Sequence, residues 1–272
     1  MDITYETHLT IKKDKLCPFK LLIGTIDGDR GICNWHENIE VLLINGGDGR
    51  VLYGSEYLDV SDGSIIAVNS GALHRLCGDG YDILGFIIDS DFCKENGIDT
   101  SALVFERCFF DDEIARIMKS TASTVKSYTD APTSLGGARA RCAVLELLIK
   151  LTERHSAVFC EIGKERRSSE EYVKTVIKHL NAHSKEEMSL DELAALCGIT
   201  KYHLSREFKR YTGSTVFSYL NVLKCKNAEG LILHGKSVSE AAFESGFESL
   251  SYFSRTYKKI MGRSPSAIIR RR

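Results

Sequence analysis

Two stretches of this 272-residue chain repeat one order of helix signals, and few folds accommodate such a repeat. Ser189 to Gly213 reads SLDELAALCGITKYHLSREFKRYTG, and Ser237 to Pro265, 48 residues further on, reads SVSEAAFESGFESLSYFSRTYKKIMGRSP. Each opens with S-x-x-E, Ser189 with Glu192 and Ser237 with Glu240. In this capping box the Ser hydroxyl and the Glu carboxylate each satisfy a free amide of the first helical turn. Nine residues after each cap stands a glycine, Gly198 and Gly246, able to take positive φ and stop a helix. A short turn then leads into a second amphipathic run, anchored by Leu204 and Phe208 in one copy and by Phe253 and Tyr257 in the other. Two short helices joined by a Gly-containing turn predict a helix-turn-helix, whose second helix is narrow enough for the major groove of DNA. Between the copies, Thr215 to His234 is apolar at helical period through Val216, Leu220 and Leu223. A helix of that length spans about 30 Å, close to the roughly 34 Å between successive major-groove faces.

Charge is divided in the same sense. The net charge of −1 conceals 17 Lys and Arg against 11 Asp and Glu from Glu170 onward, leaving 19 against 26 in the rest. A basic end suits phosphate and an acidic one does not. Nine cysteines without a C-x-x-C pair, and no basic-then-apolar leader, predict reduced thiols in a soluble cytoplasmic protein with no membrane span.

The amino-terminal half has a different grammar. After a polar arm at 1–15, short apolar runs (LLIGTI, IEVLLI, VLYG, SIIAV, DILGFII) alternate with GGDG, DG, SG and GDG, the spacing of an antiparallel barrel or sandwich. Asn45 to Arg50 reads as a hairpin loop. Phe110 to Tyr128 and Ala138 to His155 carry helical spacing and predict an αα-hairpin, with a turn at Asp130 to Gly137. Ile114, Ile117, Leu147 and Leu151 offer apolar surface for a homodimer. The polar stretch 156–169 predicts a linker. The expected organisation is an α+β chain: an antiparallel β-barrel domain at 1–155 with its helical hairpin at 110–155, a linker at 156–169, and an all-α domain at 170–272 with two helix-turn-helix motifs.

The run GFESLSYFSRTYKKIMGRSP resembles the signature of the AraC-type (AraC/XylS) transcription regulators, and the Ser189 to Gly213 run is similar to their first helix-turn-helix. The resemblance covers roughly the last hundred residues. It implies sequence-specific binding of double-stranded DNA, a cupin-like amino-terminal domain for a small-molecule effector such as a sugar, a homodimer, and RNA polymerase as a candidate partner. The second helices direct Lys201, Tyr202, Ser205, Arg206 and Lys209, and in the other copy Ser251, Ser254, Arg255 and Lys258, away from their apolar anchors toward DNA. Arg forks onto guanine, Ser bonds base edges or phosphate, and Lys serves phosphate as a point charge. The chain departs from the family pattern at Val222, Lys224 and Asn227, where arginines are usual, and at Gly230, which costs about 1 kcal/mol inside a helix.

The cupin likeness rests on WHENIEVLLINGGDGRVLYGSEYLDVSDGSIIAVNSGALHRL, where His36 and Glu40 precede a later His74. In an extended strand 34, 36, 38 and 40 share a face, which turns His36 and Glu40 to one side. The cupin likeness implies that His74 of a later strand lies alongside with Trp35 nearby, so Trp35, His36, Glu40 and His74 are the candidate effector site. Metal-binding cupins carry His where this chain has Asn34, so no metal and no cofactor are expected. No nucleophile, Walker or dinucleotide motif is present, and no catalytic residue is expected. The rival reading is a metal-dependent cupin enzyme tethered to a DNA-binding domain.

Overall fold

In a computed structural model of the chain, residues 17–26, 32–78, 80–158 and 169–269 are described. The expected arm, most of the expected linker and the last three arginines lie outside them. The chain divides into two compact units, Met1–Lys164 and Glu165–Arg272.

The first unit contains β1 (Phe19–Ile26), β2 (Ile39–Ile44), β3 (Asp48–Tyr53), β4 (Glu56–Ser61), β5 (Ile65–Val68), β6 (His74–Cys77), β7 (Tyr81–Ile88), α1 (Ser90–Glu95), β8 (Leu103–Phe105), β9 (Cys108–Phe109), α2 (Asp112–Asp130), α3 (Ser134–His155) and β10 (Ser156–Val158). Pairing is antiparallel throughout, in a five-stranded sheet ordered β1-β7-β2-β5-β9, a three-stranded sheet β4-β3-β6, and the pair β10-β8. None of these sheets closes on itself among the described residues.

The five-stranded sheet is buried on both faces, which explains why IEVLLI is apolar without alternation. Ile39, Val41 and Leu43 join Ile65, Ala67, Phe86 and Ile88 in one core with Ile114, Met118, Leu147 and Leu151 of α2 and α3. Leu42 and Ile44 point the other way, into a second core with Val51, Tyr53, Val60 and Leu76 of the three-stranded sheet. Ile114, Leu147 and Leu151 are therefore fully buried within the unit and offer no surface to a partner. Ile117 is also packed against that core.

Three local expectations are corrected. Asn45 to Arg50 is not a hairpin loop: β2 pairs with β5 and β7, while β3 pairs with β4 and β6, so the chain crosses here from one sheet to the other. Glycine is required at this crossing, because a Cβ on Gly47 (φ +80°) would lie 2.6 Å from the Gly80 carbonyl oxygen. The helical turn is shorter than expected, since α3 starts at Ser134 behind the Thr133 cap. Gly136 and Gly137 thus sit inside the helix, where Gly137 lies under the Tyr128 ring. Residues 156–158, expected in the linker, form β10 on β8.

The second unit is helical: α4 (Ser169–Ala182), α5 (Leu190–Cys197), α6 (Lys201–Thr212), α7 (Val216–Leu233), α8 (Val238–Glu244), α9 (Leu250–Met261) and α10 (Ser266–Ile269). Both capping boxes form as the spacing predicts. Gly198 ends α5 at φ 66°, and Gly246 takes φ 86° one residue past the Ser245 cap of α8. The cap of the second helix follows Gly198 by two residues (Thr200) but Gly246 by three (Ser249). Leu204 and Phe208 bury α6, with Phe208 edge-on to Tyr219 of α7. Phe253 and Tyr257 bury α9 among Cys225, Ala228, Ile232 and Phe247. Among the described residues no helix is long and apolar enough to cross a membrane.

Candidate nucleic-acid interface and a buried histidine–glutamate cluster

The outward faces of α6 and α9 follow from the inward ones. With Leu204 and Phe208 buried, the helical period exposes Tyr202, Arg206 and Lys209, while Lys201 and Ser205 flank them half-buried. In α9, Ser251, Arg255 and Lys258 are exposed and Ser254 is half-buried. Tyr202 is 80 % exposed, an unusual cost for an aromatic ring with no protein surface to cover.

The two faces differ in how their arginines are held. Arg206 Nε donates to Glu207 Oε1 at 3.1 Å, and its Nη2 lies 3.2 Å from His203 Nδ1, although its side chain is 72 % exposed. Arg210, which the sequence reading passed over, pairs with Glu207 Oε2 at 2.6 Å. Burial alone would raise the Glu207 pKa, but the hydrogen bonds of Arg206 and Ser169 and the charges of the two arginines outweigh it and lower the carboxyl below its ordinary value. Arg255 has no recorded ion pair among the described residues, and Glu248 does not engage it. Its helix is anchored from beneath, where Glu229 of α7 accepts from Tyr257 Oη at 2.9 Å and from Arg263 at 2.7 Å. Lys201 pairs with Asp191, and Lys224, standing where the family pattern has Arg, donates to the Gly246 carbonyl. Two further exposed groups lacked a sequence signal, Tyr252 (bonded by Asn221) and Lys259. Both lie beside the expected stripe and become visible only once the helix is oriented.

In the first unit, His36, Glu40 and His74 are buried together. The route differs from the extended strand the spacing implied. The chain bends at Glu37 and Asn38, so His36 precedes β2 rather than lying in it. Its Nδ1 is 3.0 Å from the Asn38 carbonyl and its Nε2 is 3.0 Å from Glu40 Oε2. Glu40 shares a face with Leu42 and Ile44, and His74 shares one with Leu76, so both turn into the space between the sheets. His74 Nε2 lies 3.2 Å from Glu40 Oε2, and its Nδ1 is 3.0 Å from the Ala72 carbonyl. Burial raises the Glu40 pKa, yet the two imidazoles overcome that and hold it down to about 2. Burial by itself lowers that of His36, and the Glu40 carboxylate outweighs it, so the net direction is up. The cluster closes without Trp35, which is half-buried beside it in sequence.

A family profile described as a helix-turn-helix domain matches residues 193–271. The uncharacterized HTH-type transcriptional regulator YbfI of Bacillus subtilis is 34 % identical over 110 residues, 39 % of this chain and 40 % of its own length. The right origin-binding protein of Escherichia coli is 32 % identical over 95 residues, 35 % of this chain and 33 % of its own. The chain thus spans less than half the length of these relatives. A crystal structure of an apo single-residue variant of ToxT from Vibrio cholerae covers 92 % of this chain and 96 % of its own, at 12 % identity and a TM-score of 0.50. That likeness concerns the fold: antiparallel sheets followed by a helical domain. With the profile, the relatives and the two capped helix pairs in agreement, residues 193–271 are a helix-turn-helix domain of the AraC type.

Proposed function

We propose that this chain is a cytoplasmic transcription regulator that binds double-stranded DNA sequence-specifically through two helix-turn-helix motifs, α5–α6 and α8–α9. The observation that carries this reading is the pair of solvent-facing helices with matched cations, Arg206 with Lys209 and Arg255 with Lys258, each seated on buried aromatic or aliphatic anchors. A bundle with no ligand has no use for two such faces. The first, cupin-like unit supplies the effector site, at Trp35, His36, Glu40 and His74. An effector there changes DNA binding only by its difference in affinity for two domain arrangements, typically about 1 to 3 kcal/mol.

The test is a fluorescence-anisotropy titration of labelled upstream DNA at several salt concentrations. The chain should prefer one fragment over its scrambled version by at least about 1,000-fold. Lys209→Ala and Lys258→Ala should each weaken both DNAs alike and reduce the salt slope by about 1. Equal affinity for operator and scrambled DNA overturns sequence-specific regulation. In the same titration His74→Ala should keep its DNA affinity and lose any metabolite response of the parent; a retained response removes the effector site from this cluster.

The unit that holds the effector also holds the dimer contact. Leu135, Cys142 and Ile149, seven residues apart on the outer face of α3, remain exposed after Leu147 and Leu151 have gone into the core. Such a stripe suits the same helix of a second copy. The full chain should sediment as a dimer at micromolar concentration, and Ile149→Glu as a monomer. An Ile149→Glu chain that stays dimeric excludes this face. RNA polymerase remains a candidate partner of the DNA-bound form. The second reading, a metal-dependent enzyme tethered to DNA, draws on the His36, Glu40 and His74 cluster and requires turnover of a substrate.

A further inference from the structure

The sequence argues against a metal because Asn34 replaces a histidine, but the geometry assembles three donors without it. One ligand atom each from His36, Glu40 and His74 lies within 4.8 Å of the others, and all three residues are buried. Glu40 Oε2 is 3.0 Å from His36 Nε2 and 3.2 Å from His74 Nε2. Ligands held about 2.0 to 2.2 Å from a tetrahedral ion stand roughly 3.3 Å apart, so the two separations from Glu40 need little adjustment, while the two imidazoles, within 4.8 Å of each other, close by at most about 1.5 Å.

The protons make the stronger argument. Both Nδ1 atoms face backbone carbonyls at 3.0 Å, Asn38 for His36 and Ala72 for His74. A carbonyl accepts and never donates, so each Nδ1 carries the hydrogen, and a neutral ring then presents an Nε2 lone pair. Two lone pairs and a carboxylate oxygen gathered out of water repel unless positive charge lies among them. An imidazolium proton can answer one of these contacts. For His74 the 3.2 Å approach lacks the alignment of a hydrogen bond, and its Nε2 has no such partner among the described residues. A divalent ion answers all three donors at once. Backbone carbonyls that fix the far nitrogen of each ring are also the usual support of metal-ligating histidines.

We propose that His36, Glu40 and His74 bind one divalent first-row transition ion through the two Nε2 atoms and the Glu40 carboxylate. Imidazole with carboxylate favours zinc, iron, nickel or copper over calcium and magnesium. Three protein ligands leave a position open to water or to a donor atom of a small molecule. Asn34 is suited to this, since its backbone exchanges both hydrogen bonds with His74 while its buried Oδ1 has no donor among the described residues. The proposal deepens the effector reading and rests on it for signalling only, since binding of the ion is measured without DNA or effector.

The test uses the full chain, stripped with a chelator and titrated with zinc by calorimetry and with cobalt(II) by absorption spectroscopy. One equivalent should bind, with cobalt d–d bands and no thiolate-to-metal charge-transfer band, which separates this site from the nine cysteines. Glu40→Gln, of nearly equal volume, removes the anionic ligand itself and should weaken zinc by at least the roughly 10- to 100-fold that loss of a mere supporting partner costs. Three results each overturn the proposal: no saturable uptake by the parent, a thiolate band in its cobalt spectrum, or Glu40→Gln binding as tightly as the parent. If Glu40→Gln fails to fold, the parent's stoichiometry and cobalt spectrum still decide. A negative result leaves the effector reading standing, and a lost DNA response leaves the zinc result standing.

Discussion

Phe253→Ala lowers the stability of the helical unit by about 3 to 5 kcal/mol, the usual range for emptying a buried aromatic site. The Phe253 side chain is fully buried, with its ring centroid 4.9 Å from Phe247 and 5.4 Å from Tyr257. These rings seat α9 on α7 and α8, so their loss releases the helix that presents Arg255. Collapse around the cavity is limited, because Tyr257 is tied by its hydroxyl to buried Glu229. Urea unfolding followed by two probes checks this. Trp35 is the only tryptophan and reports the first unit, while far-ultraviolet circular dichroism also follows the helices of the second. The dichroism transition should move to lower urea, with the fluorescence transition unmoved. An unfolding free energy from the dichroism transition within about 1 kcal/mol of the parent would mean that Phe253 does not seat α9.

Arg255→Ala should leave that unfolding curve unchanged and weaken specific DNA binding by about 1 to 3 kcal/mol. On the same helix as Phe253, its side chain faces solvent and makes no recorded ion pair among the described residues. Nothing in the fold is lost with it. The matched change at Arg206 falls toward the lower end of that range, since Arg206 must give up part of its contact with Glu207 and His203 to reach a base. Arg210 also remains to neutralise Glu207 when Arg206 is removed. Titrations on operator and scrambled DNA supply the readout. Base readout by Arg255 is wrong if the substitution lowers both affinities equally.

The contrast between the two arginines marks a limit of sequence reasoning. Both stand at the same helical position relative to their anchors, and pattern alone treats them as equivalent. That Glu207 is buried beneath one of them depends on how α6 packs. Likewise the helical spacing of Ile114, Ile117, Leu147 and Leu151 identifies an apolar face but not what covers it. The sheet covered it, and the stripe at Leu135, Cys142 and Ile149 emerged only after that assignment.

What the sequence by itself determined is the second unit. Ser189 with Glu192, Ser237 with Glu240, the two glycines and the anchors at Leu204, Phe208, Phe253 and Tyr257 all act within about one to two helical turns. Local interactions of that range are written directly in residue spacing. The first unit depended on tertiary structure, because strand pairing is decided between residues far apart in the chain. Asn45 to Arg50 has the composition of a hairpin loop, yet β2 pairs with β5 and β7, and a turn cannot announce that its strands will separate. His36, Glu40 and His74 were legible as a set of polar residues in an apolar stretch, but not as a cluster. Their convergence needed the bend at Glu37 and Asn38 and the packing of two sheets face to face, which brings Glu40 of one sheet to His74 of the other.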